Sequence, residues 1–167
     1  RYAWDQQPAI GLWNLTRFAE SILSLLHDDT DKAVEIAKAE LGKFYPQFEH
    51  AFETGMLQKL GIDQSSPEDS AFIASLLTIL MDEKLDFTLF FRELTRGICL
   101  SAKAEDIWRQ RLGKIEPNTA LMRTTNPIYI ARNHQVDAAL KEATDGNMVR
   151  FETLVGLLKK PFTEVDN

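Results

Sequence analysis

An all-α fold is predicted by three observations. Apolar residues recur at steps of three and four nearly everywhere along the 167 residues, the period of a helix with one buried face. Turn-formers are scarce, with eight glycines and six prolines, too few for a turn-rich β fold or a disordered chain. Those that occur stand where helices start and stop, proline behind a capping side chain and glycine past the last apolar residue. Together they predict an irregular bundle of seven or eight helices.

The first helix opens at Gln6-Gln7-Pro8, because proline suits a first turn, and Leu15, Phe18, Ala19, Ile22 and Leu26 make its expected buried face. His27-Asp28-Asp29-Thr30 ends it, and an aspartate or Thr30 caps the next. A second helix is expected to be long: Ala33, Ala37, Leu41, Phe44, Phe48, Phe52 and Met56 stay in phase through Pro46, so a kink is predicted there and Gly61 as a left-handed stop.

Ser66-Pro67-Glu68-Asp69 starts a third helix burying Phe72, Leu76, Ile79 and Leu80. Asp86 caps a shorter one carrying Phe87, Phe90, Phe91 and Leu94, with Gly97 beyond its end. Residues 102–112 form another, burying Ile107 and Trp108. The stretch 113–126 is weakly patterned. Asn126-Pro127 reads as a helix start leading to Val136, Ala139, Leu140 and Ala143. Gly146 and Asn147 then turn the chain into a last helix with Phe151, Leu154, Val155 and Leu158, so that 126–160 is a terminal αα-hairpin.

Composition narrows the partners. The net charge of −6 disfavours nucleic acid and anionic membranes, since counterion release needs a basic face. No run approaches the ~20 apolar residues that span a bilayer. The lone Cys99, between Ile98 and Leu100, excludes an internal disulfide and reads as a small buried hydrophobe.

Chemistry is hard to find. His27, His50 and His134 lack the Glu-x-x-His or His-Glu-x-x-His spacing of metal sites. Asp28-Asp29-Thr30-Asp31 lacks the glycine and terminal glutamate of a calcium loop and reads as a helix cap. Phosphate-cradling glycine loops and a nucleophile elbow are also missing. Arg123-Thr124-Thr125-Asn126-Pro127 with Arg132-Asn133-His134 is the most polar cluster, suited to pairing with carboxylates of a neighbouring lobe. Ahead of the first helix, Arg1, Tyr2 and Trp4 have no period of their own; residues 1–8 are expected to be a seam that packs on preceding chain.

Arg1, Tyr2, Trp4, Gln7, Pro8, Trp13, Asn14, Leu15 and Arg17 form one block. Asn126-Pro127, Arg132-Asn133, Ala138-Ala139, Gly146, Leu154 and Pro161-Phe162 form a second. Met56 to Gly61 and Asp86-Phe87-Thr88 lie between. This pattern resembles the selenoprotein O family, in which Gly-Arg-Tyr-x-Trp/Phe-x-x-Gln-Pro leads into a helix carrying Trp-Asn-Leu-x-Arg.

The resemblance implies a kinase-like protein adenylyltransferase that binds ATP with Mg or Mn and moves AMP to protein hydroxyls. It implies that residues 1–167 are one all-α region, the C-terminal helical part of a protein-kinase-like fold. The nucleotide, metal and catalytic residues would lie upstream, so no catalytic, cofactor-binding or metal residue is assigned to this chain, and none of these ligands is expected to bind it. Arg1, Tyr2, Trp4, Gln7, Trp13, Arg17, Asn126, Arg132 and Asn133 become candidate contacts with the upstream lobe, the expected partner beside protein substrates. The compartment implied is the cytoplasm in a bacterium or the mitochondrion in a eukaryote. The alternative is a free-standing, non-catalytic helical interaction module.

Overall fold

The computed structural model describes residues 6–165, and every described regular element is helical: α1 (Gln7–Ser21), α2 (Leu23–Leu26), α3 (Thr30–Leu41), α4 (Phe44–Lys59), α5 (Asp69–Asp82), α6 (Phe87–Thr95), α7 (Ala102–Leu112), α8 (Thr119–Thr125), α9 (Asn133–Thr144) and α10 (Val149–Leu158). Arg1, Tyr2 and Trp4 of the expected seam lie outside the described residues. The chain divides into two compact units after Thr54, within α4.

In the first unit α3 packs on α1 and α2, burying Ala33 and Ala37, whose small side chains let helix backbones approach. Asp29 caps α3, its carboxylate accepting the Asp31 N–H at 3.0 Å and the Lys32 N–H at 3.3 Å. The predicted first helix is divided at Ile22, where a tighter bond from the Ile22 N–H to the Ala19 carbonyl closes α1. Its expected buried face is not buried: α1 has no buried residue, and Leu15 and Phe18 are 43% and 60% exposed.

The long second helix is also two. α3 stops at Leu41 and α4 restarts at Phe44, so the predicted kink at Pro46 is a break before it. Proline cannot bond the carbonyl four residues back, but at the third position of a new helix that N–H has no partner to lose. The aromatic stripe survives the break, with Phe44, Phe48 and Phe52 stacked at centroid spacings of 6.3 and 6.0 Å.

The second unit holds the larger core, built on Leu60, Leu76, Phe90, Phe91, Trp108 and Met122. α5 packs on α7, α6 on α8 and α9 on α10. α4 ends in a Schellman motif: the Ile62 N–H reaches the Leu57 carbonyl at 2.9 Å and the Gly61 N–H that of Gln58 at 3.1 Å, with Gly61 at φ +70°. The same bond pair closes α6 at Gly97 and α9 at Gly146, as their positions in the sequence predict. Trp108 is buried more deeply than Ile107, because its indole N–H finds the Leu60 carbonyl at 3.0 Å.

Two expectations about the last third change. The weakly patterned stretch contains α8, capped by Asn118 through the Leu121 N–H. Asn126-Pro127 ends that helix; it does not start the next. A residue before proline is driven to extended backbone, and Asn126 sits at φ −98°, ψ 102°. Residues 127–132 run non-helically, with the Ile128 and Tyr129 N–H groups sharing the Pro161 carbonyl, and the terminal hairpin begins at Asn133.

Candidate functional site

The candidate site lies where α6 meets the end of α8 in the second unit. Arg92 and Thr95 of α6 and Arg96, which caps its C-terminal end, are spaced i, i+3, i+4 and share a face. Arg123 stands in the last turn of α8, and Pro127 stops that helix so that Asn126 turns inward, 3% exposed. Asn126 donates its amide to the Lys59 carbonyl at 2.8 Å and to Thr95 Oγ1 at 2.9 Å. One side chain thereby joins α6 and α8 to the end of α4.

Lys59 lies beside this junction. Its Nζ is 3.4 Å from the Thr125 carbonyl and from Asn126 Oδ1, and 5.7 and 5.5 Å from the ring centres of Phe87 and Phe91. Burial holds its pKa below that of an ordinary lysine. Aromatic faces and carbonyl dipoles serve where a carboxylate would otherwise stand.

Above the junction is a cleft of about 420 Å³. Arg92, Arg96 and Arg123 line it with Thr95 and Asn126, while Ile128, Phe162 and Glu164 complete the wall. Thr95 Oγ1 donates to the Phe91 carbonyl while accepting from Asn126, so the neutral donors of the wall are engaged. Arg96 reaches Glu93 at 3.3 Å, and Arg92 Nε is buried without a hydrogen-bond partner. Chemically, the cleft offers guanidinium donors and little else.

At the other end of α6, Arg132 grips Asp86 through two bonds of 2.6 and 3.0 Å, and Asp86 caps the helix by accepting the Leu89 N–H at 2.8 Å. The Arg132 hydrogen bonds, followed by that of Leu89, hold the Asp86 carboxyl down at about 2, and Asp86 in turn raises Arg132. Arg132 therefore has its carboxylate within this chain.

The other expected contact residues stand on α1 and α9. Gln7, Trp13 and Arg17 stand on α1 with exposed side chains, Arg17 paired with Glu20 at 2.6 Å and 5.9 Å from the Trp13 ring centre. Asn133 is the exposed first residue of α9. Cys99 is half-buried, and burial pushes its thiol up. Among the described residues no three His, Cys, Asp or Glu side chains gather as metal ligands. Lys59, Arg92 and Arg96 were not among the predicted contacts, although the i, i+3, i+4 polar spacing on α6 was a usable signal.

The described residues define an all-helical region whose most distinctive surface is a cationic cleft. The chain belongs to the SelO family: the family model described as protein adenylyltransferase SelO matches residues 1–115. Among its relatives, the protein nucleotidyltransferase YdiU of Mycolicibacterium smegmatis is 41% identical over 98% of this chain and 35% of its own length. Those of Rhodopseudomonas palustris strain HaA2 and Halalkalibacterium halodurans are 39% and 40% identical, over 98% and 97% of this chain. The chain thus spans a little over a third of the length of these curated relatives.

Proposed function

We propose that this chain is the C-terminal helical part of a nucleotidyltransferase that moves AMP from ATP to Ser, Thr or Tyr hydroxyls of proteins, pyrophosphate leaving as the new phosphoester forms. The observation that carries the reading is end-to-end similarity to proteins named nucleotidyltransferases, over about a third of their length. The catalytic, ATP-binding and Mg-binding residues are assigned to a kinase-like lobe upstream, and no residue of this chain is given those roles. The contribution of these helices is positional: a catalytic group displaced by an ångström loses much of its rate advantage.

The exposed apolar side of α1 supports that role. Leu15 and Phe18, three residues apart and so on one face of α1, are both exposed, and an apolar face left open is characteristic of a surface that meets a partner. The proposed partner is the upstream lobe of the same polypeptide, with Arg1, Tyr2, Trp4, Gln7, Trp13 and Arg17 at the contact.

Mass spectrometry of candidate proteins incubated with the full-length protein and ATP-Mg tests the activity. A 5′-AMP adduct on hydroxyl side chains is expected. Its absence across a broad proteome digest, with the protein folded, favours a non-catalytic interaction module. Residues 1–167 alone are expected to show no saturable ATP-Mg binding; such binding would move the nucleotide site into this chain.

A further inference from the structure

We propose that the cleft between α6 and the end of α8 binds a small phosphomonoester, its phosphate held by Arg92, Arg96 and Arg123 and its organic body seated on Ile128 and Phe162. The inference goes beyond the AMP transfer proposed above and does not depend on it. Three guanidinium groups line one cleft in a chain of net charge −6, and Glu164 is the one carboxylate among its lining residues. Like charges repel, so this concentration of cations is unfavourable unless an anion joins them.

The hydrogen-bond inventory points the same way. The amide of Asn126 and the hydroxyl of Thr95 are engaged within the protein, leaving the arginines as the available donors. Arg92 Nε is a buried donor without a partner, a state that is costly in water-excluded surroundings. The Arg96 link to Glu93 is long and its side chain 57% exposed, so that it can reorient. Guanidinium forks match a phosphate dianion in geometry and charge. The 420 Å³ of space exceeds what inorganic phosphate fills, and Ile128 and Phe162 give the remainder an apolar wall.

Calorimetric titration of the full-length protein with phenyl phosphate and with inorganic phosphate, in EDTA, tests this. Phenyl phosphate is expected to bind one site and more tightly than inorganic phosphate. Arg92→Gln with Arg123→Gln is expected to weaken both by about tenfold or more, each lost charge-assisted bond contributing. Should the double variant not fold, Arg123→Gln alone, on the exposed end of α8, is expected to weaken both in the same direction. Affinities unchanged by the substitutions, or equal for the two ligands, would overturn the proposal. Crystals of the full-length protein soaked in tungstate provide an independent readout. Anomalous density between the arginines supports the site; a carboxylate of the upstream polypeptide seated there instead overturns it.

Discussion

Asp69 and Arg111, 42 residues apart, form an ion pair in which the carboxylate is wholly buried. Arg111 holds it with bonds of 2.5 and 3.1 Å and also donates to the Gln64 carbonyl at 2.7 Å, while the Ser66 N–H donates to Asp69 at 2.6 Å. Burial pushes the Asp69 pKa up, but the Arg111 fork, the Ser66 N–H and the arginine charge together outweigh it and leave the carboxyl below its ordinary value. The pair fastens the start of α5 and its preceding loop to α7.

Removing one member is predicted to be far worse than removing both. Asp69→Ala or Arg111→Ala should each cost about 3–5 kcal/mol, since a partly or wholly buried charge loses its partner. An apolar pair of similar volume should cost much less. Urea melts of the two single variants and the double replacement check this; a strictly additive double variant would contradict it.

Asp86 carries a pH-dependent share of stability. Its pKa falls from 3.8 in the unfolded reference to about 2 in the fold. The contribution is therefore fully present above about pH 4 and is lost as pH falls toward 2. Asp86→Asn is expected to flatten the stability profile in that window, and to cost little through the cap itself because asparagine also caps well. Chemical denaturation from pH 2 to 5 reads the difference between the two proteins.

Two left-handed helix ends predict opposite signs. Lys84 closes α5 at φ +52° with the same bond pattern as the glycine stops, so Lys84→Gly should stabilise by about 1 kcal/mol by relieving the Cβ clash. Gly61→Ala should destabilise by roughly 2 kcal/mol or more, because a Cβ there would lie 2.9 Å from the Asn118 backbone nitrogen as well as at positive φ. Thermal melts of the two variants should move in opposite directions.

Asn126→Ala should cost about 1–3 kcal/mol, leaving the Lys59 carbonyl and Thr95 Oγ1 without their donor. Hydrogen exchange should then rise at the C-terminal ends of α6 and α8 together. A rise confined to α8 would mean that Asn126 does not couple them.

Much of this architecture was legible in the chain because its signals are local. Asp86 caps α6 as predicted, and Gly61, Gly97 and Gly146 stop their helices at left-handed φ, since caps and stops act within four residues. Where two local signals competed, reading failed. The in-phase aromatic stripe across Pro46 concealed a break at Gly42-Lys43, and Asn126-Pro127 satisfied a helix-start pattern while the same proline rule also ends helices. The α1 stripe had the period of a buried face, yet period reports only that a face is apolar and not what covers it.

The sequence by itself determined the helical class, the aspartate caps of α3 and α6, the glycine stops and the family. Tertiary structure decided the rest: that Asp69 is buried against Arg111, that Asn126 turns inward to Lys59 and Thr95, and that Arg123 joins Arg92 and Arg96 around one cleft. Those partners lie 27 to 67 residues apart in the chain. A charge or amide takes its meaning from whatever folding places within about 3 Å of it, and no local pattern encodes that neighbour.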